Sequence, residues 1–78
     1  MREHFEEELS KLSNALVEMG ALCEDAISCA VKYLLKNDAQ MKKNAAEAEK
    51  QIDQKEREIE TMCMRLLIQQ QPVATDFR

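Results

Sequence analysis

Helix-breaking residues are almost missing from this chain: 78 residues hold one glycine, Gly20, and one proline, Pro72. Strands need frequent turns, and turns draw on Gly and Pro, so such a sequence is restricted to a few long helices. The first is expected from about Glu3 to Lys36. There Phe5, Leu9, Leu12, Leu16, Met19, Cys23, Ala26, Ala30 and Tyr33 recur in steps of four and three, the spacing of a seam that meets another helix at a shallow angle. Ile27, Val31, Leu34 and Leu35 add a second apolar edge toward its end. A face that wide can touch two neighbours.

Asn37-Asp38 is the one break in the periodicity. Asn suits a left-handed C-terminal position, and Asp suits an N-cap whose carboxylate accepts backbone N–H bonds. So short a connection makes the next helix an antiparallel neighbour. That helix is expected from about Ala39 to Gln70, with Met41, Ala45, Ala48, Ile52, Ile59, Met62, Cys63, Leu66 and Leu67 facing inward. Its seam is interrupted at Lys55 and Glu56. Pro72, with no N–H and a fixed φ, ends it and suits the first turn of a third helix over 72–78, of which only about one and a half turns fit before Arg78. The expected fold class is all-α, an antiparallel helical hairpin forming part of a three-helix bundle and completed by dimerisation.

Composition narrows the function. A net charge of −4 and no Lys/Arg cluster argue against nucleic acid as a partner. No stretch approaches the ~18 apolar residues of a membrane span, so no membrane insertion is expected. Cys23, Cys29 and Cys63 form no C-x-x-C pair, which fits a reducing, cytoplasmic location. His4 has no second His at ligand spacing and reads as an exposed N-terminal residue. Met19, Met41, Met62 and Met64 read as gap-filling core. No glycine loop, no nucleophile with a base and no closed pocket point to catalysis.

One pattern does point to chemistry. Glu49, Asp53, Glu56 and Glu60 recur at i, i+4, i+7 and i+11, and with Ile52 as the middle of the seam they fall roughly 40° to 100° to one side of it. The turn at Pro72 lets Asp76 return beside them. Like charges at this spacing repel by a few tenths of a kcal/mol per pair, roughly, so they invite a cation. Oxygen donors without His or Cys suit Mg, Mn, Ca or ferric iron more than Zn or Cu. The plainer reading is a solvated face whose acids pair with Lys42, Lys43, Lys50 and Arg57.

The order Phe5-x-x-x-Leu9, Met19-Gly20, Asn37-Asp38, Glu49-x-x-Ile52-Asp53-x-x-Glu56-x-x-Ile59-Glu60 and Gln70-Gln71-Pro72-Val73-Ala74-Thr75-Asp76-Phe77-Arg78 resembles the first two helices of the PhoU family, bacterial regulators of phosphate uptake. The Gln-Gln-Pro-Val-Ala-x-Asp-Φ-Arg stretch, Φ being an apolar residue, is its specific part. The resemblance implies a full-length protein of two similar three-helix bundles, of which residues 1–78 are an incomplete domain. It implies metal clusters on carboxylate stripes, with Glu49, Asp53, Glu56, Glu60 and Asp76 in ligand positions. It also implies repression of the phosphate-starvation response through the phosphate ABC transporter ATPase and a phosphate-sensing histidine kinase. A Glu-x-x-x-Asp pair expected further along the third helix lies beyond Arg78, so weak or absent metal binding is expected of this chain alone. Glu49 stands where Asp is common in the family, Lys55 where an apolar residue is common and Phe77 where Leu is common.

Two expectations therefore stand side by side. One is a non-enzymatic regulator acting by protein contacts and a carboxylate stripe that holds iron or another hard ion. The other is a ligand-free hairpin that self-associates as a homodimer, because one seam buries too little at ~25 cal/mol per Å² to offset ~1.5 kcal/mol of ordering per residue.

Overall fold

A computed structural model describes residues 2–69. Two helices account for it: α1 over Arg2–Lys36 and α2 over Ala39–Gln69. They lie antiparallel as a hairpin about 59 Å long. The expected third helix and Asp76 fall outside the described residues.

The turn forms as the side-chain chemistry at 37 and 38 dictates. Asn37 takes φ 54°, a left-handed conformation that Asn tolerates better than most residues, and its N–H donates to the Tyr33 carbonyl at 2.7 Å. Asp38 Oδ1 then accepts from the Gln40 N–H at 2.9 Å, satisfying one of the free donors at the start of α2. Beside the turn, the Lys42 ammonium sits 5.6 Å from the centre of the Tyr33 ring, an attraction between a cation and the ring face.

Most of the expected α1 seam is half-buried, namely Phe5, Leu12, Met19, Cys23, Ala26, Ala30 and Tyr33, but its centre is turned toward an adjacent row. The row facing α2 is Glu8, Ala15, Leu22 and Cys29, and Ala15, at 4% exposure, is the most buried residue of the pair. Phe5, Leu12, Met19, Ala26 and Tyr33 are half-buried beside it. Leu9 and Leu16, expected inward, are 42% and 53% exposed. Both rows keep a step of seven, so periodicity alone cannot choose between them. Burial does: Ala15 lies at the level of Glu58 and Met62, and Ala48 at the level of Leu22 and Cys29, so a small side chain on one helix meets larger ones on the other, and Leu9 and Leu16 are left outside.

On α2 the inner row is Met41, Ala45, Ala48, Ile52, Lys55, Ile59, Met62 and Leu66, an unbroken alternation of four and three. Leu66 is buried at 8% exposure, whereas Leu67, expected inward, is 65% exposed, and so is Met64 at 56%. Each advances about 100° per residue away from that row. Cys23, Cys29 and Cys63 are free and half-buried, and His4 is exposed as expected. Among the described residues no helix is long and apolar enough to cross a membrane.

Candidate functional site: a carboxylate ridge beside an apolar edge

Lys55 occupies a position on the inner row where every other α2 residue is apolar or alanine. Its stem lies in the seam, with the side chain 19% exposed, and its ammonium donates to Glu18 of α1 at 2.6 Å and to Glu58 at 3.2 Å. The hydrogen bond to Glu18, then that to Glu58, holds the Lys55 pKa above its ordinary 10.5. By its sequence alone Lys55 reads as an interruption of the seam. A usable signal was present: Glu18 and Lys55 stand at nearly equal distances in sequence from the Asn37-Asp38 turn, so a hairpin brings them opposite one another.

That bridge marks one flank of the hairpin. Taking Ala15 and Ala48 as the inward directions at ~100° per residue, Glu18 and Asp25 of α1, and Gln51, Lys55 and Glu58 of α2, all fall roughly 20° to 80° to the negative side. These residues together line an open polar groove, so rotation of one sign leads to one flank on both helices, as it must for an antiparallel pair.

The ridge belongs to the opposite flank. Glu49, Asp53, Glu56 and Glu60 lie roughly 80° to 140° to the positive side of Ala48, and all four are exposed. Among the described residues none of them is in an ion pair; the three pairs present are Lys11–Glu8, Lys55–Glu18 and Lys55–Glu58. Lys42, Lys43, Lys50 and Arg57, which could have neutralised them, do not.

Ligand chemistry can be judged from this placement. Carboxylates at i, i+4 have Cβ atoms about 6 Å apart, near enough for two to share one ion, and their hard oxygens fit a hard cation. Among the described residues, however, no three His, Cys, Asp or Glu side chains converge as a metal site requires. Glu49, Asp53, Glu56 and Glu60 thus fit part of a coordination shell, and its remaining donors would have to come from outside residues 2–69.

On the same positive flank α1 presents its displaced apolar row. Leu9, Leu16, Ile27 and Leu34 fall roughly 100° to 120° from Ala15, with exposures of 42%, 53%, 64% and 78%. Acidic ridge and apolar edge therefore lie on the same side of the hairpin, with half-buried Leu12, Met19, Ile52 and Cys63 between them. Sequence periodicity picks out the acidic ridge, and Ile27 and Leu34 as part of an apolar edge, but assigns Leu9 and Leu16 to the seam. It does not reveal that ridge and edge share a side.

Comparison with known proteins is consistent with this two-helix unit. The PhoU domain family model matches residues 16–78. The phosphate-specific transport system accessory protein PhoU homolog of Pseudomonas putida is 36% identical over 76 residues, covering 97% of this chain and 30% of that protein. The Synechocystis homolog is 36% identical over 77 residues, 99% of this chain and 34% of its own length. The Escherichia coli K12 accessory protein is 28% identical over 74 residues, 95% and 31%. This chain thus spans about a third of the length of the curated relatives it matches. No solved structure matches it.

Proposed function

The chain belongs to the PhoU domain family, and on that premise we propose that it is an accessory regulator of phosphate transport that acts through protein contacts and carries out no catalysis. The observation that supports the contact half of this reading is the exposed row Leu9, Leu16, Ile27 and Leu34. Such a row on a helix that already has one neighbour is a surface for another. Its proposed partners are the phosphate ABC transporter ATPase and a phosphate-sensing histidine kinase, met in the cytoplasm. In cells deleted for the chain, phosphate-uptake genes should stay active at replete phosphate, and restoring the chain should silence them. A reporter equally repressed with and without it would refute the reading.

Metal binding is the finer part of the proposal. Glu49, Asp53, Glu56 and Glu60, joined by Asp76, would be the oxygen donors, and a bound ion such as iron, Mg, Mn or Ca would neutralise four like charges on one flank. Support comes from the absence of ion pairs at these four positions among the described residues. Calorimetric titration of the protein with Mn²⁺ should give binding that Asp53→Asn weakens. Identical isotherms for the two proteins would remove these ligands.

A second reading, a ligand-free hairpin that self-associates as a homodimer, draws on the same exposed row. Sedimentation should then show a concentration-dependent dimer whose stability ignores metal.

A further inference from the structure

We propose that the Lys55–Glu18 pair is a register-selecting contact: of the two rotations of α1 that apolar periodicity allows, it holds the hairpin in the one that keeps Leu9 and Leu16 out of the seam.

The two rotations share half of their contacts. Phe5, Leu12, Met19, Ala26 and Tyr33 belong to both and are half-buried. The second row differs. Glu8, Ala15, Leu22 and Cys29 face α2 in the structure, whereas a turn of α1 by about half a residue step, roughly 50°, would set Leu9, Leu16, Cys23 and Ala30 there instead. The alternative row carries no charge and would cover two leucines that now stand 42% and 53% exposed. Burial of hydrocarbon by itself therefore favours the rotation that is not adopted.

Lys55 supplies the opposing preference. Its side chain, 19% exposed in the inner row of α2, turns to the negative flank and donates to Glu18 at 2.6 Å and to Glu58 at 3.2 Å. Glu58 travels with α2 and is indifferent to how α1 turns. Glu18 is not: the same rotation would carry it from roughly 60° to roughly 110° off the direction of α2, out of hydrogen-bond reach, and Asp25 on that flank would turn away with it. Ala15 and Leu22, which already border Lys55, would stand in their place. One charge-assisted hydrogen bond would be lost and its donor left against hydrocarbon. A lone charged side chain in an apolar row fixes helix register in this way without having to add stability. The row so kept out stands on the carboxylate side, the face that the three-helix reading gives to the chain's own third helix.

Two native cysteines report the rotation. The turn would bring Cys23 from roughly 80° to roughly 30° off the seam and swing Cys29, now roughly 40° off on the other side, out to roughly 90°. Labelling of the folded protein with N-ethylmaleimide, read at each cysteine by peptide mass spectrometry, therefore separates the two rotations. In Lys55→Met and in Glu18→Ala, Cys29 should react about twofold or more faster and Cys23 about twofold slower, as an even division between the rotations requires. The exchange variant E18K with K55E rebuilds the pair with its charges reversed and should return both rates to their native values. Glu24→Ala, which removes a carboxylate from the outer face of α1, should change neither.

Unchanged rates in Lys55→Met and Glu18→Ala would show that packing alone sets the rotation and would overturn the proposal. Cys23 and Cys29 accelerated together would report general loosening of the hairpin and overturn it as well. So would single-variant shifts that the exchange variant fails to reverse, or a Lys55→Met protein that circular dichroism shows unfolded, which would make Lys55 a requirement for folding and not a choice between rotations.

Discussion

Adjacent leucines give the sharpest test of how the two helices face each other. Leu66 is 8% exposed and Leu67 is 65% exposed, so the same Leu→Ala change at neighbouring positions removes a buried and a largely solvated side chain. Full burial of a leucine contributes ~1.5–3 kcal/mol, so truncating Leu66 loses nearly all of that plus a cavity term, ~2–4 kcal/mol in total. Truncating Leu67 loses about a third, ~0.5–1 kcal/mol. Helix propensity favours alanine slightly and equally at both sites, so it cancels from the difference. That leaves ~1.5–3 kcal/mol between the variants, or roughly 10 °C in Tm at ~4–8 °C per kcal/mol for a chain of this size. Thermal melts followed by circular dichroism at equal protein concentration read it directly. Equal losses, or a larger loss at Leu67, would mean that α2 turns a different face to its neighbour, and the ridge and the apolar edge would then no longer lie on the same side of the hairpin.

Gly20 lies within α1, and a Cβ there would meet nothing within 4 Å; Gly20→Ala should therefore stabilise the protein by ~0.5–1 kcal/mol, and a loss of stability would show that something packs against that position. The Lys55 bridge makes a signed pH prediction. Because the folded pKa is raised above 10.5, its contribution is fully present below that value and is lost as pH climbs through the folded value. Melting temperature should therefore fall more steeply on the alkaline side for the native protein than for Lys55→Met, and parallel curves would contradict the bridge. Glu18→Lys places a second ammonium beside Lys55 and should lower Tm at neutral pH, whereas Lys55→Met, which restores an apolar inner row, should leave it unchanged or raise it.

Much of this arrangement is legible from the residues, and what is not has an identifiable physical cause. The turn could be read in full, because Asn37 and Asp38 act through local chemistry that depends on no distant contact. The inner row of α2 could be read except at Leu67, which is exposed, and at Lys55, where a charged residue occupies an apolar register because its stem and head do different things: the methylenes pack and the ammonium reaches sideways. The α1 register could be read in part: Phe5, Leu12, Met19, Cys23, Ala26, Ala30 and Tyr33 are half-buried, whereas Leu9 and Leu16 are not. Rows containing Leu9 and Leu16 or Ala15 and Leu22 are equally periodic, and the choice depends on which side chains meet across the seam, a property of the pair that neither helix encodes alone. Placement of the four acids on a flank of the seam follows from spacing. That they stay unpaired among the described residues, with Lys50 and Arg57 one helical turn or less away, does not.

The α1 register decides what stands beside the acidic ridge. Had α1 turned Leu9 and Leu16 inward, a rotation of roughly 110°, Ser13, Val17, Glu24 and Val31 would stand on the carboxylate side and Ala15 on the opposite flank. With Ala15 and Ala48 at the seam, Leu9 and Leu16 stand on the carboxylate side. A cation held by the ridge would neutralise charge beside that hydrocarbon and would favour the folded chain, to which alone it binds well. Saturating Mn²⁺ should therefore raise the melting temperature of the native protein and leave that of a variant carrying E49Q, D53N, E56Q and E60Q unchanged. Equal shifts in the two proteins would show that the ridge does not hold the ion.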